Sequence, residues 1–243
     1  MLELKHISFH AAETNGKKEI LKDISFKLDD NTFLAVTGPN GGGKSTLAKI
    51  IAGIETPTSG QILYNGKDIT NLSITERAQL GISYAFQQPV RFKGITVIDL
   101  IRLASGRNLK FTEACEYLSQ VGLCAKDYIM REVNASLSGG ELKRIEIATI
   151  IARGTNVSLF DEPEAGIDLW SFQNLIRVFE NMKNSIHGSI LIISHQERIL
   201  NIADKIIVIA DGTVSKEGSR DEILPQLLNE SNAAYGACSR LEN

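Results

Sequence analysis

The sequence predicts an α/β fold built on a mostly parallel sheet, with an antiparallel β subdomain and a helical subdomain added to it. Three observations indicate this fold. Short, nearly continuous apolar runs alternate with helical patterns along most of the chain, as expected for strands that are buried on both faces of a parallel sheet. Two stretches near the N-terminus alternate apolar and polar residues, which is typical of an antiparallel hairpin. From Gln88 to about Leu137 the strand patterns stop and helical patterns dominate.

The predicted strands follow in chain order. The first two, at residues 2–9 and 20–27, form the hairpin and are separated by the turn-rich stretch Glu13-Thr14-Asn15-Gly16. The predicted buried strands lie at residues 33–37, 82–86, 157–160, 190–193 and 206–210. Asp211-Gly212 then predicts a two-residue hairpin that leads into a last strand at residues 213–215.

Helical patterns lie between these strands, at residues 47–52, 97–104, 112–121 and 142–152. Two of them fall in the region without strands, so the sequence predicts a helical subdomain inserted at about residues 88–137. No tandem repeat is visible, which favours a single domain that spans residues 1–243. Residues 230–243 are polar and rich in small side chains, and either a closing helix or a frayed tail fits them.

Composition excludes several classes of protein. Of the 243 residues, 43% are apolar and 23% are charged, as in ordinary globular proteins. The net charge of −3 provides no general basic field, so we expect no nucleic-acid partner. No apolar run approaches the roughly 18 residues of a membrane helix, and the N-terminus lacks a signal-peptide pattern, so we expect a cytoplasmic location. The cysteines, Cys115, Cys124 and Cys238, lack CxxC spacing and are interpreted as structural or incidental thiols.

The most informative segment is a glycine-rich loop directly after the predicted strand at residues 33–37. It consists of Gly38, Pro39, Asn40, Gly41, Gly42, Gly43, Lys44, Ser45 and Thr46. This spacing lets the backbone approach a phosphate and points N–H groups at it from the start of a helix. Lys44 would then reach the β- and γ-phosphates, and the Ser45 hydroxyl would ligate Mg²⁺. A plain turn is the alternative, but the flanking strand and helix favour a nucleotide site.

Two further segments carry candidate chemistry. Asp161 and Glu162 follow a predicted strand: Asp161 suits a Mg²⁺ site, and Glu162 suits the activation of a water molecule. Adjacent acids also occur as surface charge, but the phosphate loop favours the catalytic interpretation. Leu137-Ser138-Gly139-Gly140-Glu141 precedes a predicted helix and would present N–H groups to an anion, although by itself it is typical of an N-capped helix.

With these motifs, the chain resembles the ABC-type ATPases over essentially all of its length. Residues 38–46 match the Walker A loop, and residues 137–141 match the signature motif. Asp161 and Glu162 match Walker B with its catalytic glutamate. The remaining matches are the Q-loop glutamine Gln87, Asp168 of the D-loop Ala165-Gly166-Ile167-Asp168, and the switch histidine His195 after Ser194. A histidine at a strand end is more often structural, but here it lies where a γ-phosphate sensor is expected.

The resemblance implies a P-loop ATPase that uses ATP and Mg²⁺. The implied catalytic residues are Lys44, Glu162 and His195, and the implied metal ligands are Ser45, Gln87 and Asp161. Nucleotide contacts are implied for residues 38–46 and for Gln87, Ser138, Gly139, Gly140, Glu141 and Asp168. The face formed by residues 138–140 of a second copy would close the γ-phosphate site, so two ATP molecules would be held in a two-fold, head-to-tail pair.

Within this family, three features are similar to the SufC-like iron–sulfur cluster assembly ATPases. They are the stretches at residues 85–90 with Gly94 and at residues 194–200, the acidic Glu164, and the lack of an adenine-stacking aromatic. This similarity implies a soluble SufB/SufD-like scaffold as partner, on which an Fe–S cluster is built. The alternative is the ATP-binding subunit of a transporter, with a membrane-spanning subunit docked near residues 87–101. A repair or ribosome-associated ATPase is disfavoured, because such proteins normally carry a long coiled coil or a second cassette.

The missing aromatic is the one departure from the family pattern. Many members place an aromatic residue shortly after the first strand to stack on adenine, whereas the aligned position here is Ala11. His10 is the alternative stacking partner, and Phe9 is expected to face the core. We therefore expect loose base selectivity.

Overall fold

The computed structural model of the chain describes residues 1–13, 16–185 and 188–238. Within these residues the strands are β1 (Leu2–Glu13), β2 (Gly16–Leu28), β3 (Phe33–Thr37), β4 (Ser59–Tyr64), β5 (Lys67–Asp68), β6 (Ile82–Ala85), β7 (Val157–Asp161), β8 (Ser189–Ile193), β9 (Lys205–Ala210) and β10 (Thr213–Ser219). The helices are α1 (Lys44–Ala52), α2 (Ile74–Gln79), α3 (Val97–Ser105), α4 (Phe111–Gln120), α5 (Ala125–Tyr128), α6 (Gly139–Arg153), α7 (Leu169–Ser185), α8 (Glu197–Ile202) and α9 (Arg220–Cys238).

The larger sheet has the strand order β10-β9-β3-β8-β7-β6. Its strands β9, β3, β8, β7 and β6 are parallel, and β10 pairs antiparallel with β9 at one edge. Every residue of β3, β7 and β8 is buried, which explains why these strands are continuous apolar runs in the sequence. The predicted α/β fold is confirmed, as is the hairpin at Asp211-Gly212.

The smaller sheet is antiparallel and has the order β2-β1-β4-β5. The predicted hairpin forms its β1 and β2, which extend further than predicted; Thr14 and Asn15 of the predicted turn lie outside the described residues. Sequence reasoning missed β4 and β5, because β4 begins with the polar and glycine-containing Ser59-Gly60-Gln61. Asn65-Gly66 between them was the available signal, since both residues have the positive φ angles that a two-residue hairpin turn requires.

Helices follow each other without a strand from α3 to α6. Predicted helices at residues 97–104, 112–121 and 142–152 correspond to α3, α4 and α6, and the short α5 was not predicted. In the C-terminal stretch, α9 continues to Cys238, and residues 239–243 lie outside the described residues.

Two apolar clusters lie on opposite faces of the larger sheet. Alternate residues of β3 divide between them: Phe33 and Ala35 belong to the cluster that includes α3, α4 and α6 to α9, whereas Leu34 and Val36 belong to the cluster that includes α1 and the smaller sheet. The loop after β3 therefore leaves the sheet between two packed layers, which fixes its position.

A buried guanidinium stabilises the C-terminal end of α1. Arg77 is 1% exposed and donates hydrogen bonds to carbonyl oxygens of Ile50 at 2.6 Å, Ile51 at 2.9 Å, Thr70 at 2.7 Å and Leu72 at 3.1 Å. Burial lowers the pKa of Arg77, and the charge of Asp68 opposes this effect. The cation thus satisfies carbonyl groups at the negative end of a helix dipole.

Replacement of Arg77 by methionine should therefore destabilise the protein strongly. The change leaves buried carbonyl oxygens without donors, and we expect the free energy of unfolding to fall by about 3 kcal/mol or more. Urea denaturation followed by circular dichroism measures this loss. The exposed Arg91→Met serves as the control and should match the unchanged protein. Equal stability of the two variants would contradict the structural role of Arg77.

Candidate active site

Three of the predicted site segments lie at the carboxyl ends of three adjacent strands. The phosphate loop, residues 38–46, follows β3 and leads into α1. Strand β7 ends at Asp161, and β8 ends at Ile193, just before Ser194 and His195. Because β3, β8 and β7 are neighbouring parallel strands, these ends meet at one edge of the sheet, where α/β proteins commonly bind ligands.

Close backbone packing explains the glycines of the loop. Gly38 has a φ of 128°, and a Cβ atom added there would lie 2.1 Å from the carbonyl oxygen of Ile209. Gly43 has a φ of 98°, and its Cβ would lie 2.5 Å from Cδ2 of Leu21. Both positions therefore require glycine, through the backbone angle and through the lack of space.

Lys44 lies folded over this loop. Its side chain is 5% exposed, and Nζ donates hydrogen bonds to the carbonyl oxygens of Gly38 at 2.8 Å and Pro39 at 2.9 Å. Burial lowers the pKa of Lys44, and the carboxylates of Glu162 and Asp161 act against that shift. The cation is thus held between the loop and the two acids at the end of β7.

Asp161 joins the loop to the sheet. It is 2% exposed; its Oδ1 accepts a hydrogen bond from the Ser45 hydroxyl at 2.9 Å, and its Oδ2 accepts one from the Tyr84 hydroxyl at 2.9 Å. Burial and the charge of Asp161 raise the pKa of Tyr84, so the phenol stays protonated and donates. Tyr84 was missed by sequence reasoning, since a tyrosine inside a predicted strand carries no signal of its own.

Glu162 lies between the predicted Q-loop glutamine, Gln87, and the predicted switch histidine, His195. Its Oε2 accepts a hydrogen bond from Nε2 of Gln87 at 2.8 Å, and its Oε1 lies 3.6 Å from Nε2 of His195. The φ of Glu162 is 44°, an unusual value for a residue other than glycine, and the backbone N–H donates to the carbonyl oxygen of Ile193 at 3.0 Å. A strained backbone thus aims the carboxylate between the neighbouring strands.

The electrostatic surroundings keep His195 neutral at pH 7. Burial lowers the pKa of His195, and the nearby Lys44 cation lowers it further, whereas Glu162 raises it. The ordinary value for histidine is already about 6.5, so the lowered pKa leaves the imidazole uncharged. A neutral ring has one N–H to donate, either to Glu162 or to a bound phosphate oxygen.

The predicted signature residues cap α6. The Ser138 hydroxyl accepts a hydrogen bond from the N–H of Glu141 at 3.3 Å, and the Glu141 carboxylate accepts one from the N–H of Ser138 at 2.7 Å and another from the hydroxyl of Tyr128. Ser138 and Gly139 are exposed, and Gly140 is buried against Ser171. Among the described residues, no hydrogen bond or ion pair joins Ser138 or Glu141 to the phosphate loop. The exposed start of this helix therefore takes no part in the bonds that hold Lys44 and Asp161.

Asp168 lies at the start of α7. Its Oδ1 accepts a hydrogen bond from the N–H of Ser171 at 3.0 Å, and its side chain is exposed. The D-loop carboxylate thus caps a helix that follows the Glu162 segment directly in the chain.

Among the described residues, the position where many family members place a base-stacking aromatic is occupied by Ala11, with His10 before it. Nε2 of His10 lies 3.6 Å from Oε1 of Glu19 across the hairpin. A shallow depression beside Thr46 is lined by Phe9, His10, Ala11, Ile20 and Lys49, among others. Phe9 was expected to face the core; it is half-buried, packs against an apolar cluster and also lines this depression.

Comparison with known proteins identifies the family. The sequence profile described as ABC transporter matches residues 21–165. The chain belongs to the ABC transporter family. It is accordingly an ATP-binding cassette ATPase, as the sequence predicted, and the predicted fold is confirmed.

Several curated relatives resemble the cassette over most of its length. An uncharacterized ABC transporter ATP-binding protein of Methanocaldococcus jannaschii is 40% identical over 86% of this chain and 86% of its own. The probable ATP-dependent transporter ycf16 of Pyropia yezoensis is 32% identical over 90% of this chain and 91% of its own. The iron–sulfur cluster assembly protein SufC of Plasmodium falciparum is 35% identical over 83% of this chain and 61% of its own.

Solved structures agree on the fold. A dimeric ATP-binding cassette in a post-hydrolysis state with ADP and Pi has a TM-score of 0.81 and 21% identity, covering 90% of this chain and 99% of its own. A nucleotide-free cassette from an ABC transporter has a TM-score of 0.78 and 25% identity, covering 94% of this chain and 95% of its own.

Among the helices that the structure describes, none has the length and apolarity needed to cross a bilayer.

Proposed function

We propose that this cassette binds ATP together with Mg²⁺ and that Glu162 activates the water that attacks the γ-phosphate. One observation carries the assignment: Glu162 is held by Gln87 on one side and faces His195 on the other, beside the buried Lys44. A carboxylate oriented in this way can accept a proton from water, and the neighbouring cation offsets negative charge on the phosphates.

The chemistry of the donor atoms fits Mg²⁺. The Ser45 hydroxyl and the Asp161 carboxylate lie 2.9 Å apart, and both offer the oxygen ligands that this ion prefers. Gln87 contacts Glu162 through its amide nitrogen, and its amide oxygen is the atom suited to the metal. When bound, Mg²⁺ would neutralise charge that develops on the β- and γ-phosphates.

The second half of the site is supplied, in this proposal, by another copy of the chain. The start of the 15-residue helix α6 offers backbone N–H groups and the positive end of a helix dipole. Ser138 and Gly139 are exposed there, so a bound γ-phosphate on a second copy can reach them. A head-to-tail pair with two-fold symmetry completes both sites at once.

We propose further that ATP-driven closure acts on a soluble scaffold protein for Fe–S cluster assembly, as in a SufC-like system. The likeness to SufC of Plasmodium falciparum supports this role, as does the acid at position 164. Glu164 accepts a hydrogen bond from the hydroxyl of Ser194, the residue before His195. Burial raises the pKa of Glu164, and the charge of Glu162 adds to this effect. Glu164, the acid that supports the SufC-like assignment, thus contacts the residue next to the predicted switch histidine.

An apolar groove offers a place for the partner. Phe86, Val90, Phe92, Leu100 and Ile145 line it, between the Q-loop and helices α3 and α6. Phe86 is 40% exposed and Val90 is 48% exposed, so the groove presents apolar surface that a partner can cover. A helix of a membrane-spanning subunit is the alternative occupant of this groove, and two relatives are named as transporter proteins, so a transporter subunit is the second candidate.

Purification of the tagged chain from its native host in mild detergent, followed by mass spectrometry, separates these candidates. We expect a soluble scaffold that can be reconstituted with an Fe–S cluster, and we expect Val90→Arg to lose it. Met130→Arg is the control, since Met130 is exposed outside the groove. Recovery of a polytopic membrane protein would contradict the assembly role and make the cassette a transporter motor.

A further inference from the structure

A buried lysine and a mostly buried glutamate of α6 hold the backbone immediately before Gln87. Lys143 is 2% exposed, and its Nζ donates a hydrogen bond to the carbonyl oxygen of Phe86. Glu146 accepts a hydrogen bond from the N–H of Phe86 at 3.1 Å through its Oε1. One turn of helix separates the two side chains, and Nζ of Lys143 lies 3.7 Å from Oε2 of Glu146. Both backbone polar groups of Phe86 are therefore bound by α6.

Packing alone does not explain this pair. Burial of a lysine and a glutamate costs free energy that apolar side chains of similar size would avoid. Burial lowers the pKa of Lys143 and raises that of Glu146, and Glu146 still has a buried Oε2 without a hydrogen-bond partner. Neighbouring positions of the helix, such as Leu142 and Ile145, are apolar and buried. The two charges thus serve the backbone groups that they bind.

Phe86 lies between two parts of the site. On one side, Tyr84 packs edge-to-face on Phe86 with ring centroids 4.9 Å apart and donates to Asp161. On the other side, Gln87 donates to Glu162. Residues 86–96 contain no strand or helix, so external partners must fix this segment.

We propose that Lys143 and Glu146 are positioning residues, which hold the Phe86 backbone so that Gln87 reaches Glu162 and the γ-phosphate. They touch neither nucleotide nor metal, and they act through Gln87. The inference rests on the proposed role of Gln87. It also links the groove to the site, because Phe86 and Glu146 line that groove as well.

The double variant Lys143→Met/Glu146→Met tests this inference, because it removes both charges and keeps similar volume in the core. We expect kcat for ATP to fall about 10- to 100-fold through misplacement of Gln87. KM for ATP should stay within about twofold, since the variant leaves Lys44 and the phosphate loop intact. Lys93→Met is the control: it removes an exposed charge from the same loop and should leave kcat unchanged.

A cycle with Gln87→Ala distinguishes positioning from general damage. If Lys143 and Glu146 act through Gln87, the double substitution should lower kcat by no more than about twofold in the Gln87→Ala protein. An unchanged kcat in the double variant, or an equal loss with and without Gln87, would overturn the inference. If the double variant does not fold, Lys143→Gln is judged by the same criteria. Full activity of Gln87→Ala itself would overturn the proposed role of Gln87 as well.

Discussion

Replacement of Glu162 by glutamine is expected to leave ATP bound while ATP hydrolysis slows about 10²- to 10⁴-fold. Glutamine has nearly the same shape as glutamate, so the strained backbone and the contact with Gln87 can persist. The amide cannot accept a proton from water, which removes the general base. The loss should therefore appear in kcat and not in the affinity for ATP.

Steady-state ATPase rates and equilibrium binding of ATP test this expectation together. The matched control is Glu180→Gln, an exposed acid on α7. Its kcat and affinity should equal those of the unchanged protein. Substantial turnover in Glu162→Gln would show that another group activates the water.

Replacement of Lys44 by alanine is expected to weaken ATP binding. Each hydrogen bond between an ammonium group and a phosphate contributes roughly 1.5–3 kcal/mol, so loss of even one predicts binding at least about 10-fold weaker. In the structure Lys44 binds the carbonyl oxygens of Gly38 and Pro39, and we expect the nucleotide to take over these bonds.

Isothermal titration with Mg·ATP measures this change. The thermal stability of the variant should be measured as well, because alanine also removes the bonds between Lys44 and the loop. Lys67→Ala, an exposed lysine on β5, is the control and should bind ATP normally. Unchanged affinity in Lys44→Ala would contradict the assigned role of this lysine.

Sequence reasoning recovered the parts of the fold that carry periodic or glycine-based signals. The parallel strands β3, β7 and β8 are buried at every residue, so they appear as apolar runs, and the phosphate loop is constrained by steric contacts that only glycine avoids. Sequence reasoning missed β4, because its first residues are polar and its Gly60 packs against the backbone of His6. A strand that forms mainly through pairing with a neighbouring strand shows little alternation of apolar and polar residues in its own sequence.

The candidate site shows a similar division. Motif spacing predicted Lys44, Asp161 and Glu162 as site residues. It gave no reason to select Tyr84, Lys143 or Glu146. These three act through contacts between segments far apart in sequence: Tyr84 reaches Asp161, and the two residues of α6 reach Phe86. The pairing of β6 with β7 brings Tyr84 to Asp161, and the packing of the sheet against α6 brings Lys143 and Glu146 to Phe86.

In the proposed function, a complete ATP site needs the phosphate loop of one copy and the exposed start of α6 of another. Light scattering of Glu162→Gln with and without Mg·ATP measures whether two copies join. We expect one chain mass, 26.6 kDa, without nucleotide and twice that mass with it. Adding Ser138→Arg should abolish the dimer, whereas Ser119→Arg on α4 should not. A monomer with ATP bound, or a dimer that persists with Ser138→Arg, would rule out the shared site.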